Sequence, residues 1–216
     1  MADVEAEKRA AAEAAAQLVE DGMSVGLGTG TTVAHLLPAL ARRGLRLRCV
    51  ATSVSTAELA EALGLALEPF TALDRLDIAI DGADQVDPAG WLIKGGGGAH
   101  TREKIVAAAA DRFVVIASSD KVVEVLHAPV PLELLAFGLP ATLRALGDLG
   151  TVTLRAAPAS PDGGVIADLR GDVGDPADLA QRLASTPGVV EHGLFPPAMV
   201  SDVLIARGAE VEHRRL

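Results

Sequence analysis

Four stretches of this chain carry residue types that do chemistry, at spacings that would gather them. Gly26-Leu27-Gly28-Thr29-Gly30-Thr31-Thr32 sets three alternate glycines and three hydroxyls ahead of a helical pattern. Backbone N–H groups and threonine side chains there can face an anion at the positive end of a helix, which suits one phosphate group. The stretch lacks the Gly-Lys-Ser/Thr of a Walker loop, and Thr31 and Val33 fall where a dinucleotide fingerprint would need its third glycine. The simpler reading is a tight strand-to-helix turn with threonine caps. Asp81-Gly82-Ala83-Asp84-Gln85-Val86-Asp87 spaces carboxylates at i, i+3 and i+6, a pattern for hydroxyl recognition, acid-base work or, less well, a divalent metal. Lys94-Gly95-Gly96-Gly97-Gly98 runs into the helix start Thr101-Arg102-Glu103-Lys104. Ordering four glycines costs about 2–4 kcal/mol relative to alanine, so a backbone passing close to a ligand explains the run better than a linker does. Taken alone, Glu103 is a dipole-compensating carboxylate in a first helical turn. The fourth stretch is Ser118-Ser119-Asp120-Lys121.

The elements that must position these residues follow from hydropathy. An Ala/Glu-rich helix over residues 3–20 precedes an alternation of apolar runs (23–27, 45–51, 65–67, 78–80, 91–93, 113–117) with helices (33–43, 57–63, 102–110). That rhythm predicts an α/β fold, a Rossmann-like, mostly parallel sheet with helices on both faces. The loops after the first, second, Ile78 and Phe113 strands then share one edge, outside the carboxyl ends of the strands. Beyond Lys121 the order becomes strand 130–135, helix 139–149, strand 151–156, strand 165–169, helix 176–185, strand 188–194, the βαββαβ order of a smaller ferredoxin-like α+β domain. The apolar run 200–206 is left to rejoin the first sheet. The expected division is 1–127 with 199–216 as the Rossmann-like catalytic domain, and 128–198 as the ferredoxin-like domain.

Composition narrows the function. With 216 residues, 29 acidic against 19 basic, and a formal net charge of -10, the chain repels nucleic acid and anionic lipid, so neither is an expected partner. The stretch 126–143 is broken by Glu133, three prolines and Gly138 and cannot span a bilayer. One cysteine, Cys49, and an acidic, Ala-rich start predict a cytoplasmic protein. The five histidines (His35, His100, His127, His192, His213) are scattered without a metal-ligand spacing, and Cys49 reads as a buried strand residue; no metal or cofactor is expected. His100 lies beside the glycine run, and Trp91 reads as packing before it.

Together the four stretches, with Val130-Pro131-Leu132-Glu133, Pro187-Gly188-Val189-Val190 and Gly193-Leu194-Phe195, resemble the type A ribose-5-phosphate isomerase family over the whole chain. The resemblance implies a metal-independent aldose-ketose isomerase of the non-oxidative pentose phosphate pathway, passing D-ribose 5-phosphate to D-ribulose 5-phosphate through an enediolate. It implies Glu103 as general base and Lys94 as the cation beside the carbonyl oxygen, where charge develops. Asp81 and Asp84, with Gly82 and Ala83, would hold the sugar hydroxyls and assist ring opening. Thr29, Gly30, Thr31, Thr32 and Lys121, with Lys8 from the first helix, would hold the phosphate, and Gly95, Gly96 and Gly97 would line the sugar. The family's assembly is a homodimer or a dimer of dimers. Gly98, His100, Thr31 and Gln85 depart from the family's usual Ala, Leu, Ser and Glu. The alternatives are a non-catalytic sugar-phosphate sensor, which would want a DNA-binding part and has no use for Glu103 with Lys94, and an aminosugar-phosphate deaminase, which would release ammonia. A nicotinamide dehydrogenase is weaker, since no acidic residue ends the second strand at Ala51-Thr52-Ser53.

Overall fold

Asp3 starts the first helix: its carboxylate accepts from the Ala6 N–H at 3.2 Å, satisfying one of the donors a helix leaves open. The structure, a computed structural model, describes residues 3–216. Helix α1 (Val4–Ala16) buries Ala11, Ala12, Ala15 and Ala16, and these small side chains let it lie close on its neighbours. There follow β1 (Ser24–Leu27), α2 (Thr31–Arg42), β2 (Arg48–Ala51), α3 (Val54–Ala62), β3 (Ile78–Gly82), β4 (Gln85–Val86), β5 (Leu92–Ile93), α4 (His100–Ala108) and β6 (Phe113–Ser118). Then come β7 (Val130–Leu134), α5 (Leu139–Leu146), β8 (Thr151–Leu154), β9 (Val165–Arg170), α6 (Pro176–Ala184), β10 (Val189–His192), β11 (Leu194–Phe195), β12 (Asp202–Arg207) and β13 (Glu210–Arg215).

Backbone contacts divide the chain into two compact units. One comprises the residues up to Ala83 with Arg102–Val122 and Pro197–Leu216; the other comprises Asp84–Thr101 and Val123–Pro196. Hydropathy drew the boundaries near 127/128 and 198/199 instead. Residues 84–101 group with the second unit because β4 and β5 pair with β11 in a three-stranded sheet of order β11-β5-β4.

In the first unit six strands take the order β13-β12-β6-β3-β1-β2. All neighbours are parallel except the β12–β13 pair. Val25, Leu27, Ile78, Ile80, Val114, Ile116, Leu204 and Ala206 point into a core shared with α1, α2 and α3. The alternate residue Gly26 faces the other way, where Val106 of α4 lies so close that a side chain at 26 has no room. Helices therefore cover both faces, as hydropathy predicts. β12 rejoins the sheet beside β6 as expected. β13 was not anticipated, because its Glu/His/Arg alternation carries no apolar run.

In the second unit β7 to β10 form an antiparallel sheet of order β10-β7-β9-β8. Leu146 of α5 with Leu179 and Leu183 of α6 pack against Leu132, Leu134, Ala167 and Leu169, so both helices share one core with the sheet. This is the expected βαββαβ arrangement. The apolar run 65–67 makes only an isolated bridge, Cys49 to Leu67, and 188–194 is split into β10 and β11.

Candidate active site

The parallel strands of the first unit end on one edge. Its β1 is flanked by β2 on one side and β3 on the other, so the chain leaves β1 and β3 in opposite directions and opens a crevice between their ends. There the Gly28 N–H donates to Ile80 O (3.0 Å), bringing the turn against Asp81. A Cβ at residue 28 would sit 2.5 Å from the Asp81 Cβ and closer still to its carboxylate, so only glycine fits. Asp81 is 3% exposed, and its Oδ1 accepts from the Thr29 N–H (3.0 Å) and the Gly82 N–H (2.7 Å). The loop after β2 braces the same turn. The Thr29 and Thr52 hydroxyls are 2.7 Å apart, and the Thr56 hydroxyl donates to Gly28 O at 2.8 Å.

Gly30 precedes α2 at φ +119, a conformation that disfavours side chains, and no side chain caps the helix there. Its first-turn N–H groups and the Thr31 and Thr32 hydroxyls stand where an anion would be held. The Thr32 side chain comes within 4.0 Å of the position a Cβ on Gly82 would occupy. A cavity of about 270 Å³ adjoins this turn, lined by Thr29, Gly30, Thr31, Ser55 and Thr56 with the aliphatic Ala34, Leu37 and Leu59.

Sequence reasoning missed Glu7. This carboxylate is 1% exposed and accepts from the Gly208 N–H (2.8 Å), the Ser119 N–H (2.8 Å) and the Ser119 hydroxyl (2.7 Å). The Gly208 N–H first, then Ser119, hold its pKa below the ordinary value despite burial. Its signal was available: Glu7, Ala11 and Ala15 lie at i, i+4 and i+8 on the buried stripe, where an unbridged carboxylate would be costly. Glu7 thereby anchors the Ser119–Lys121 turn to α1. Lys121 Nζ lies 3.5 Å from Asp120, while Lys8 pairs with Glu5 at 2.6 Å. Glu103 sits in the first turn of α4, 4% exposed.

The remaining expected residues, except Ala83 at the end of the first unit's segment, belong to the second unit. The Asp84 N–H donates to Ile93 O (2.8 Å) and its Oδ2 accepts from the Gly96 N–H (2.7 Å). Lys94 is 2% exposed; its N–H donates to Gly193 O (2.8 Å), and its ammonium stands 5.4 Å from the centre of the Phe195 ring, within cation–π range. Gly95 has φ +99 and its α-carbon faces the buried His100 ring, leaving no space for a methyl group. The glycine run is thus a close-packed turn, closed by the Gly98 N–H to Gly95 O at 2.9 Å, and no loose linker. Gly96 and Gly97 stay exposed. Glu133, 2% exposed on β7, takes the hydroxyls of Thr101 and Ser160 and so fixes the start of α4.

The first unit therefore brings together Thr29, Gly30, Thr31, Thr32, Asp81 and Gly82, and the second Asp84, Lys94, Gly95, Gly96 and Gly97. Lys8 follows Glu7 in α1 and pairs with Glu5, and Lys121 ends the turn that Glu7 holds and stands beside Asp120. Among the described residues no group of three or more His, Cys, Asp or Glu is placed to hold a metal ion, and no helix is long and apolar enough to cross a membrane.

This architecture has close counterparts. The profile of a family described as Ribose 5-phosphate isomerase A (phosphoriboisomerase A) matches residues 48–210, and that of the DeoR C terminal sensor domain matches residues 3–66. A ribose-5-phosphate isomerase A of Natronomonas pharaonis is 45% identical, covering 97% of this chain and 97% of its own length. One of Rhodopseudomonas palustris is 47% identical over 87% and 88%. Among solved structures, ribose 5-phosphate isomerase A of Neisseria gonorrhoeae superposes with a TM-score of 0.94 at 31% identity, covering 100% of this chain and 98% of that one. A D-ribose-5-phosphate isomerase in complex with phospho-erythronic acid superposes at 0.93 with 32% identity, over 99% and 100%. Matched along its length in both sequence and fold, the chain belongs to the ribose-5-phosphate isomerase A family.

Proposed function

We propose that this chain interconverts D-ribose 5-phosphate and D-ribulose 5-phosphate by proton transfer between C2 and C1. The observation that carries the reading is the burial of a carboxylate, Glu103, and an ammonium, Lys94, in one short stretch of a chain of this family. Two such groups are expensive to bury, and a reaction that needs both a base and a cation accounts for them. Glu103 removes the proton from C2 of the open-chain aldose. The C–H electrons form the C1–C2 double bond, and the carbonyl electrons move onto O1, beside the Lys94 ammonium. Return of the proton from Glu103 to C1, with the O2 proton passing to O1, leaves the ketone at C2. Asp81 and Asp84 hold the sugar hydroxyls and assist ring opening, with Gly82, Ala83 and Gly95 to Gly97 lining the sugar. Thr29 to Thr32, Lys121 and Lys8 take the phosphate. A relative's ligand, phospho-erythronic acid, joins a phosphate to an anionic sugar acid, the ligand class this assignment calls for.

The functional division we adopt is 1–127 with 199–216 for the chemistry and 128–198 for the ferredoxin-like part. The protein acts in the cytoplasm as a homodimer or a dimer of dimers. A sensor reading is favoured by one observation, the DeoR C terminal sensor domain match, whose residues 3–66 include the Gly26–Thr32 turn but end before Asp81, Lys94 and Glu103. That match leaves the proton-transfer groups unexplained. Chelator-dialysed protein supplied with D-ribose 5-phosphate, with unphosphorylated ribose as control, separates the readings. Ketose formed from the ester alone supports the isomerase; binding without turnover supports the sensor; ammonia from an aminosugar phosphate would point to a deaminase.

A further inference from the structure

Arg155, just beyond β8, commits all three guanidinium nitrogens to three residues. Its Nε and Nη2 hold the Asp168 carboxylate in a two-pronged pair (2.9 and 2.7 Å), and its Nη1 donates to the carbonyls of Gly95 (3.0 Å) and Gly96 (2.9 Å). Both side chains of the pair are about four-fifths buried, at 21% and 17% exposure. A glycine run has no side chains with which to fix its peptide planes, and each plane can rotate at little steric cost. In a trans peptide the C=O and the next N–H point opposite ways. Drawing the Gly95 and Gly96 carbonyls onto one cation therefore turns the Gly96 and Gly97 N–H groups to the other side. The Gly96 N–H is found there, on Asp84 Oδ2 at 2.7 Å. Asp168 neutralises the guanidinium and fixes its plane, while Gly98 packs on Ile166, two residues before Asp168 on the same strand.

We infer that Arg155, oriented by Asp168, is a positioning residue for the isomerisation: it sets the peptide orientation of the Lys94–Gly98 turn and through it the Asp84 carboxylate. The inference rests on the isomerase reading above. Arg155 is not a catalytic residue, since it acts through the turn. Its role gives the β8–β9 hairpin of the second unit a part in the chemistry that no sequence motif marks. Lysine would not replace it, because a single ammonium cannot span two carbonyls and a carboxylate in one plane.

The test is steady-state kinetics of wild type, Arg155→Ala, Arg155→Lys and Asp168→Asn on D-ribose 5-phosphate, with amide hydrogen exchange on each protein. Misplacing reacting groups by about an ångström costs roughly 10²-fold in rate, so kcat for Arg155→Ala should fall by about that factor. KM should stay within about threefold, because the phosphate groups lie on other loops. Millimolar methylguanidinium should restore part of kcat to Arg155→Ala, and faster exchange should be confined to residues 94–99. Asp168→Asn should show a smaller loss of the same kind, and it carries the test should Arg155→Ala fail to fold. Unchanged kcat in the Arg155 variants, or a loss accompanied by faster exchange throughout β7–β10 without rescue, would overturn the inference. Glu103→Gln in the same assay separates the two levels. A dead Glu103→Gln beside a fully active Arg155→Ala refutes the positioning role alone, whereas an inactive wild type refutes the isomerase reading and this role with it.

Discussion

Gly28→Ala is the sharpest perturbation of the crevice between β1 and β3. The added methyl would lie 2.5 Å from the Asp81 Cβ, where ordinary contact begins near 3.4 Å, and it meets the carboxylate sooner. Asp81 cannot absorb this by a small rotation, because its Oδ1 is held by the Thr29 and Gly82 N–H groups and the residue is almost wholly buried. The carboxylate must retreat by about an ångström and give up its bond to Thr29. Overpacking of this kind costs about 1–3 kcal/mol. For a chain of this size that corresponds to a fall in Tm of roughly 2–12 °C. If Asp81 holds the sugar as proposed, its displacement by about an ångström predicts a loss of roughly 10²-fold in kcat/KM. Ketose formation and thermal unfolding would be measured beside Gly171→Ala, whose new methyl would meet Leu149 O at 2.5 Å in the second unit, away from the expected site residues. That control should lose stability and keep its kcat/KM. Wild-type activity in Gly28→Ala, or an equal loss in Gly171→Ala, would refute the reasoning.

Other groups give further expectations. Glu7, whose pKa is lowered by the Gly208 and Ser119 donors, contributes stability that is complete above the ordinary value of 4.5 and is lost as pH falls toward and through its folded pKa. Acid unfolding should therefore set in below about pH 4.5, and Glu7→Gln should be less stable at pH 7 with a shallower acid dependence; an identical pH profile would contradict this. Burial raises the Cys49 thiol to about 12, so a thiol reagent at pH 8 should label it only after denaturation, and rapid labelling of folded protein would count against its placement in β2. Lys121→Ala should raise KM by roughly 10-fold or more with little change in kcat, as expected on losing a charged phosphate contact; an unchanged KM would remove Lys121 from the phosphate end.

Much of this was legible in the residues. Alternation of apolar runs and helices located the five parallel strands, because strands buried on both faces are continuously apolar. The glycine-threonine turn, the Asp81 and Asp84 pair and the Lys94 run stood out through residue types that cost stability unless something requires them. What escaped notice was either polar or distant in sequence. β13 carries Glu, His and Arg on an edge strand, so it has no hydrophobic signature. Glu7 hid within an Ala/Glu helix, and its partners Ser119 and Gly208 lie more than a hundred residues away. Arg155 and the Gly95 and Gly96 carbonyls come together only through the folded second unit, and a carbonyl acceptor leaves no trace in side-chain identity.

The central claim is that Glu103 moves the proton, and the measurement that tests it most directly is isomerisation of D-ribose 5-phosphate in D2O by wild type and Glu103→Gln, followed by NMR, with substrate affinity measured by calorimetry. The account predicts ketose from wild type whose new C1 hydrogen comes from substrate C2, replaced by deuterium only in the fraction of turnovers in which the proton exchanges with D2O while it rests on Glu103. The Gln variant should hold the sugar phosphate with affinity near that of wild type and turn over roughly 10²–10⁴-fold more slowly, the range a positioned general base supplies. A Glu103→Gln protein that turns over at close to the wild-type rate would contradict it.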